Sequence, residues 1–335
     1  MLKFALDIAQ FALQATIIIA GLLIIIAFIA SLVSKSKGGS DLKIKNLNKK
    51  LSKNRMALQK SLLSKKEFKK LLKEEKSTNK SENQKPNVFV LNFNGDIKAS
   101  ATEQLRQEIT TLLMVAKKTD QVVVKLESPG GMVHGYGLAA SQLQRIKDSG
   151  IPLTVCVDKI AASGGYMMAC IANRIVSAPF AIIGSIGVVA SIPNFNKVLK
   201  KNDIDYLEIT AGEHKRTLTP LGEITEPGMK KFKEQIEQVH VLFKDHVSSQ
   251  RPQLDISKVA TGEYWYGKQA KELKLIDDIG TSDDVLVNLE KTHKILEINF
   301  LAKKTLKEKL GESLSFQIET ACTKVSNLLW QNRFQ

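Results

Sequence analysis

The fold of this chain is decided by the stretch Val122-Val123-Val124-Lys125-Leu126-Glu127-Ser128-Pro129-Gly130-Gly131. Its first half is an almost continuous run of aliphatic residues, which is typical of a strand buried on both faces of a parallel sheet. Its second half closes the strand with a serine, a proline and two glycines, which together are a turn signal. In α/β proteins, ligand-binding and catalytic groups lie on such turns. The stretch therefore predicts an α/β domain. On residue type alone its turn is an ordinary tight turn in preference to half of an oxyanion hole or a peptide-binding edge.

Short strands alternate with helices on both sides of this stretch. The predicted segments are strands at 88–93, 122–126, 153–157 and 206–210, with shorter β-like pieces at 181–183 and 186–189, and helices at 102–116, 136–147, 164–172 and 226–248. This alternation indicates an α/β domain whose strands are largely parallel.

Charge is concentrated in one part of the chain. The 335 residues include 49 Lys and Arg against 34 Asp and Glu, a net charge of +15, and 43% are hydrophobic, which excludes a wholly disordered protein. Residues 35–85 hold 17 of the basic and 5 of the acidic residues, so that this tract alone carries +12. The rest of the chain is nearly neutral, which argues against a general polyanion-binding protein.

The segment before this tract carries no charge from residue 8 to residue 34. Its apolar core, residues 11–33, is 23 residues long and as a helix would cross a hydrocarbon layer of roughly 30 Å. The run is longer than the core of a signal peptide, and no small-x-small cleavage site precedes Ser34. We therefore expect a transmembrane anchor at 1–34.

The basic tract has apolar residues at helical spacing, namely Leu47, Leu51, Leu58, Leu62, Phe68 and Leu72. A basic amphipathic helix either lies on anionic lipid headgroups or self-associates as a short coiled coil. Nucleic acid is not expected as a partner, because aromatic residues are almost absent from the tract. The expected organisation is an anchor at 1–34, a basic tract with linker at 35–86, the α/β domain at 87–290 and a helical extension at 291–335.

Residues 175–196 are also uncharged and raise the question of a second membrane span. Pro179, Gly184, Gly187 and Pro193 interrupt this segment, so a buried strand and turn are favoured over a span. Elsewhere the three cysteines, Cys156, Cys170 and Cys322, are too scattered for a disulfide framework or a zinc site, and no metal or cofactor is expected.

Two further segments carry candidate reactive groups. Ser163 lies between small residues at a predicted strand-to-helix junction, where it is either a helix N-cap or a nucleophile that a substrate carbonyl can approach. The N–H of Gly164 would then begin a helix whose dipole favours an oxyanion. Lys215 lies in a charged loop that opens at Gly212, and this loop on its own is more typical of a solvated surface loop than of a catalytic one.

Taken in order, these segments resemble the signal-peptide-peptidase A family of serine–lysine membrane proteases, and within it the SohB branch. The resemblance covers 87–286, and the anchor with its basic tract also fits that branch. The matching motifs are Ser128-Pro-Gly-Gly131, Ala162-Ser163-Gly-Gly165, Gly184-Ser185-Ile-Gly-Val188, Lys215 in its loop, Thr261-Gly-Glu-Tyr-Trp-Tyr-Gly267 and Leu275-Ile-Asp277. The resemblance implies a Clp/crotonase-like core of repeated ββα units.

The resemblance also implies roles for particular residues. Ser163 would be the nucleophile and Lys215 the general base, with Ser185 holding the lysine amine and the N–H groups of Gly131 and Gly164 forming the oxyanion hole. Lysine accepts a proton only when it is neutral, and desolvation favours that form. The implied substrates are signal-peptide remnants and membrane or exported proteins, cleaved by a homo-oligomer whose sites can be completed across subunits.

The implied location is the bacterial inner membrane, with a single span. The lysine-rich flank after the span indicates a cytoplasmic C-terminal domain, whereas the family resemblance indicates the outer side. Three other functions remain open from the residues: a Clp-like Ser-His-Asp peptidase using His134, a crotonase-type acyl-CoA enzyme, and a catalytically silent membrane scaffold.

Overall fold

The structure, a computed structural model, describes residues 42–78 and 85–300. In chain order the elements are β1 (Leu42–Asn46), α1 (Leu47–Leu62), α2 (Lys65–Thr78), β2 (Asn87–Asn94), α3 (Thr102–Leu113), β3 (Gln121–Glu127), α4 (Val133–Asp148), β4 (Leu153–Val157), β5 (Ile160–Ala162), α5 (Gly164–Ala169), β6 (Arg174–Ser177), β7 (Ile182–Gly184), α6 (Asn196–Lys201), α7 (Glu226–Gln250), α8 (Ile256–Val259), β8 (Tyr264–Tyr266), α9 (Gly267–Glu272), β9 (Asp278–Ile279), α10 (Ser282–Glu290) and β10 (Lys294–Phe300).

Two sheets organise these elements. The larger has seven strands in the order β1-β10-β2-β3-β4-β6-β9, and every pairing from β10 to β9 is parallel. The smaller has the order β5-β7-β8, with β7 parallel to β5 and antiparallel to β8. A parallel bridge between Ser128 and Ala161 joins the carboxyl end of β3 to β5. The two sheets therefore meet at the turn that the opening stretch predicts.

The large sheet follows from the apolar runs in its central strands. Val90 pairs with Val123 and Leu91 with Val124, and all four side chains are fully buried. Because neighbouring residues point to opposite faces, burial of both shows that both faces of the sheet are covered. The predicted α/β class is confirmed, as are the strands at 88–93, 122–126 and 153–157 and the four predicted helices, with shifted ends.

The predicted strand at 206–210 is wrong. These residues have no regular secondary structure, and the side chains of Leu207 and Ile209 are 81% and 85% exposed. Their alternation is strand-like, but within 42–78 and 85–300 they pair with no other strand, which a strand needs for its backbone hydrogen bonds. The piece predicted at 186–189 likewise forms no strand, and Val189 is 88% exposed.

The interpretation of residues 175–196 as buried core is confirmed for 175–186 and wrong for 187–196, where no residue is buried and 189–193 are exposed. Residues 175–186 contain β6 and β7, and the side chains of Ile175, Ile183 and Ile186 are fully buried. No helix among residues 42–78 and 85–300 has the length and apolarity needed to cross a bilayer. The predicted anchor at 1–34 lies outside the described residues, as does most of the predicted C-terminal extension.

The compact unit extends beyond the predicted α/β domain at both ends, spanning Ile44–Phe300 rather than 87–290. The start of the predicted helical extension is a strand, since β10 pairs with β2, and the predicted basic helix begins as strand β1. Asn48 of α1 is buried and fixes this end of the unit. Its amide donates to the carbonyl of His293 at 2.9 Å and its oxygen accepts from the N–H of Ile295 at 2.6 Å.

Replacing Asn48 by alanine should lower the free energy of unfolding by about 2–3 kcal/mol, because a buried carbonyl and a buried N–H lose their partners. Urea unfolding measures the change. Asn54→Ala is the matched control, since Asn54 is exposed on the same helix, and we expect an effect within about 0.5 kcal/mol. Equal effects of the two substitutions would contradict the packing of α1 into the domain.

Candidate active site

Ser163 occupies a strained turn between β5 and α5. Its backbone has φ of 52° and ψ of −119°, in the positive-φ region that a residue with a side chain rarely adopts. The N–H of Ser163 donates to the carbonyl of Gly184 at 2.8 Å, which ties the turn to the end of β7. Helix α5 begins at the next residue, so the serine sits in front of free N–H groups.

Glycines surround Ser163 because the backbones approach too closely for side chains. A Cβ on Gly130 would lie 2.7 Å from the Cβ of Ser163 and 2.8 Å from the nitrogen of Gly164. A Cβ on Gly164 would clash with the ring of Tyr136. The paired glycines of both motifs are therefore required by packing, independently of any chemistry.

Two backbone N–H groups near Ser163 are available to a substrate. Among the described residues, the N–H groups of Gly131 and Gly164 have no hydrogen-bond acceptor, whereas that of Met132 donates to the carbonyl of Ile97 at 2.8 Å. Gly131 directly follows the glycine that contacts Ser163. Free N–H groups beside a serine hydroxyl can stabilise a negative oxygen, which is the chemistry of an oxyanion hole.

A buried chain of hydrogen bonds holds the turn at 128–131. The hydroxyl of Tyr136 donates to the carbonyl of Asp96 at 2.8 Å, so the hydroxyl of Ser128, 2.6 Å away, donates to the tyrosine oxygen. Ser128 in turn accepts from the N–H of Gly130 at 3.1 Å. Burial raises the pKa of Tyr136, which keeps the phenol neutral and able to donate. The sequence marks Ser128 as part of a motif but does not reveal this role, because the partner Tyr136 lies outside every motif and the pairing depends on the fold.

Ser185 follows β7 and also has a positive φ, of 51°. Its N–H donates to the carbonyl of Glu263 at 2.7 Å, and its hydroxyl lies 3.4 Å from the carbonyl of Gly262. The N–H of Ser163 donates to the carbonyl of Gly184, the residue before Ser185. The two serines are therefore held on adjacent segments of the small sheet.

One cleft of about 800 Å³ brings four of the predicted site residues together. It is lined by Ile97, Pro129, Gly130, Gly131, Val133, Ser163, Gly164, Met167, Ser185, Gly187, Val188, Val189, Val239, His240, Phe243, Thr261 and Gly262. The lining is mostly apolar or glycine, which suits an extended peptide. His240 is the one titratable side chain among these lining residues, and it belongs to none of the motifs that the sequence shows.

Lys215 does not line this cleft. It lies in an exposed loop, where its N–H donates to the carbonyl of Gly212 at 3.1 Å. His134 is exposed in the first turn of α4 and also lies outside the cleft lining. Within one chain, Ser163, the N–H groups of Gly131 and Gly164, and Ser185 line one cleft, whereas neither Lys215 nor His134, the two predicted bases, is part of its lining.

No cluster of three or more metal-binding side chains occurs in the described part of the chain. Cys156 and Cys170 are buried, and burial raises the pKa of each thiol to about 12. Both are therefore thiols rather than thiolates at neutral pH, and neither is suited to nucleophilic chemistry.

Comparison with known proteins gives consistent matches. The family model described as "Peptidase family S49" matches residues 145–296, and "Peptidase family S49 N-terminal" matches residues 3–143. The probable protease SohB of Haemophilus influenzae is 49% identical over 311 residues, covering 87% of this chain and 88% of that protein. A probable protease SohB of Buchnera aphidicola (subsp. Acyrthosiphon pisum) is 52% identical over 243 residues, covering 72% of each chain. The resemblance that the motifs predict is confirmed.

Among solved structures, one of the 1510-N membrane-bound stomatin-specific protease, in mutant form with a substrate peptide, is also similar. It covers 69% of this chain and 98% of that chain, with a TM-score of 0.42 and 15% sequence identity.

Gly164→Ala should destabilise the protein by about 1–3 kcal/mol, because the added methyl group meets the buried ring of Tyr136. Gly137→Ala on α4 is the matched control, since nothing lies within 4 Å of the position its Cβ would take. We expect that substitution to stabilise the helix by about 0.5–1 kcal/mol. Thermal unfolding of both variants is the measurement, and a destabilised control or an unaffected Gly164→Ala would contradict the packing described.

Proposed function

The chain belongs to peptidase family S49, a family of serine peptidases, and we propose that it cleaves peptide bonds through an acyl-enzyme formed on Ser163. The observation that carries this proposal is the position of the Ser163 side chain in a cleft beside two free N–H groups, those of Gly131 and Gly164. An apolar cleft with backbone donors at its centre accommodates an extended peptide and a tetrahedral oxyanion.

The proposed reaction is acyl transfer in two halves. A neutral lysine amine takes the proton of the Ser163 hydroxyl as its oxygen attacks the peptide carbonyl, and the oxyanion is held by the N–H groups of Gly131 and Gly164. The lysinium then gives its proton to the leaving amine as the C–N bond breaks. Water, deprotonated by the same lysine, hydrolyses the ester and regenerates Ser163.

The lysine in this proposal is Lys215 of a second copy of the chain. Lys215 is exposed and lies outside the cleft of its own chain. It belongs to the segment 202–225 between α6 and α7, here called the arm, in which the side chains of Leu207 and Ile209 are exposed. Covering those side chains with a neighbouring copy would bury apolar surface and carry Lys215 to that copy's cleft. Ser185, on the wall beside Ser163, would then hold the lysine amine.

The finer fold assignment is a Clp/crotonase-like core of repeated ββα units. Its support is that β4, β5 and α5 follow one another as a strand of the large sheet, a strand of the small sheet and a helix. The segment from β3 through Ser128 to α4 has the same order, because Ser128 bridges to β5. A contact between the arm of one copy and the cleft of the next is heterologous, and such contacts form a ring when the rotation from copy to copy closes.

The proposed setting is the bacterial inner membrane, with residues 1–34 as a single span. The basic residues of α1 and the start of α2 are exposed, as are the side chains of Leu58 and Leu62. Lysines interspersed with exposed leucines on a helix suit an anionic lipid surface. The positive flank supports the cytoplasmic side for the peptidase domain, and signal-peptide remnants or membrane proteins are the proposed substrates.

A fluorophosphonate probe should label Ser163, since an activated serine oxygen displaces fluoride from phosphorus. Ser163→Ala should abolish both labelling and peptide cleavage, with a loss of at least about 10³-fold. Ser257→Ala is the control, because Ser257 is exposed and bonded only to Asp255 among the described residues. Gel fluorescence and mass spectrometry of the labelled peptide give the readout.

Full activity of Ser163→Ala would overturn the acyl-enzyme proposal. A wild-type protein that neither takes up the probe nor cleaves peptides would favour the scaffold function instead.

Mixing two inactive variants tests where the base comes from. Ser163→Ala and Lys215→Ala should each lack activity, and co-expression in equal amounts should restore about one quarter of wild-type activity, because random pairing gives that fraction of sites an intact serine and an intact lysine across a heterologous contact. His134→Ala, which alters an exposed residue outside the cleft lining, should keep wild-type activity.

No recovery in the mixed protein would contradict a site shared between copies. An active Lys215→Ala together with an inactive His134→Ala would replace the serine–lysine proposal by a serine–histidine one.

A further inference from the structure

Helix α7 forms one side of the Ser163 cleft. Val239, His240 and Phe243 line the cleft, and Phe243 and Val247 are the buried residues of the helix. These positions follow helical spacing, so one face of α7 is directed at the site. The proposed chemistry uses none of these residues.

Two histidines on this side of α7 each hold a backbone carbonyl. The Nε2 of His240 lies 3.3 Å from the carbonyl oxygen of Ile186, and the Nε2 of His246 lies 2.9 Å from that of Met167. A carbonyl oxygen can only accept, so both imidazoles must carry a proton on Nε2. Both hydrogen bonds therefore run from α7 toward the site.

The two carbonyls belong to the segments that carry the proposed reactive groups. Ile186 directly follows Ser185, whose backbone has a positive φ. Met167 lies in the first turns of α5, and its own N–H donates to the carbonyl of Ser163 at 2.9 Å. One helix thus ties down both walls of the cleft, on the Ser185 side and on the Ser163 side.

Helix α7 is itself firmly attached at its C-terminal end. The guanidinium of the next residue, Arg251, is buried and makes two bonds to the Asp277 carboxylate, at 2.8 and 2.9 Å. Gln250 accepts from the ammonium of Lys147 at 2.8 Å and donates to Gln144 at 3.0 Å. The histidines therefore act from a fixed support.

We propose that His240 and His246 are positioning residues, which hold the turn at Ser185 and the start of α5 in the geometry needed for acyl transfer. The inference rests on the proposed peptidase function of Ser163. His240 acts through the carbonyl of Ile186. Its other ring nitrogen, Nδ1, lies 3.9 Å from the Oε2 atom of Glu237. His246 acts in the same way through the carbonyl of Met167.

The test compares His240→Gln with His240→Leu, and His246→Gln with His246→Leu, in the full chain. Glutamine can place an amide N–H where Nε2 lies, whereas leucine has similar bulk and no donor. Gln238→Leu is the control, because Gln238 is exposed on the same helix. The measurements are kcat and KM for a fluorogenic peptide, thermal stability, and amide hydrogen exchange of Ser185, Gly187 and Met167.

For the leucine variants we expect kcat to fall at least about tenfold while KM stays within about twofold, and the glutamine variants should stay within about threefold of wild type in both. Amide exchange should be faster at Ser185 and Gly187 in His240→Leu, and at Met167 in His246→Leu. The control should match wild type throughout.

Two results would overturn the proposal. The first is unchanged exchange at these amides in the leucine variants, and the second is a rise in KM alone, which would make His240 a substrate contact. If the wild-type protein cleaves no peptide, the failure belongs to the proposed function, and the exchange measurement still decides whether the histidines hold the two walls.

Discussion

The site depends on one short backbone contact, the bridge between Ser128 and the strand that precedes Ser163. The N–H of Ser128 donates to the carbonyl of Ile160 at 2.8 Å, and the N–H of Ala162 donates to the carbonyl of Ser128 at 3.0 Å. This pair of bonds joins the large sheet to the small one at the carboxyl end of β3. Since Gly131 follows Ser128 on one side and Ser163 follows Ala162 on the other, the contact sets the distance between the N–H of Gly131 and the side chain of Ser163.

Such close contact imposes a conformational cost that the surroundings must offset. Ser163 and Ser185 both adopt positive φ values, which cost about 1–3 kcal/mol each when the residue carries a side chain. The bonds from Ser163 to Gly184 and from Ser185 to Glu263 fix these turns, and the buried Ser128–Tyr136 pair fixes the facing one. Both strained serines are therefore held by the same small sheet that presents them to the cleft.

The arm, residues 202–225, is largely exposed rather than held by close backbone contacts. Its apolar side chains at Leu207 and Ile209 are exposed, and Lys215 lies in an exposed loop. In the proposed mechanism the nucleophile, Ser163, is held rigidly, and the base, Lys215, lies on an arm that a neighbouring copy covers. Such a site would be active only after assembly. For a peptidase proposed to act beside a membrane, such an arrangement would restrict cleavage to the assembled form.

Sequence patterns determined the parts of this protein that depend on local chemistry. The apolar run of β3, the turn at 128–131 and the small residues around Ser163 were readable because backbone conformation and two-faced burial leave direct marks on residue type. Tertiary structure alone decided the rest. Residues 206–210 alternate like a strand but pair with no strand among the described residues. Asn48 and β10 belong to the domain because of contacts between residues far apart in sequence. His240 lies beside the carbonyl of Ile186, which is 54 positions away. Strand pairing and side-chain-to-carbonyl bonds depend on which segments meet in space, and that information is not contained in any local pattern.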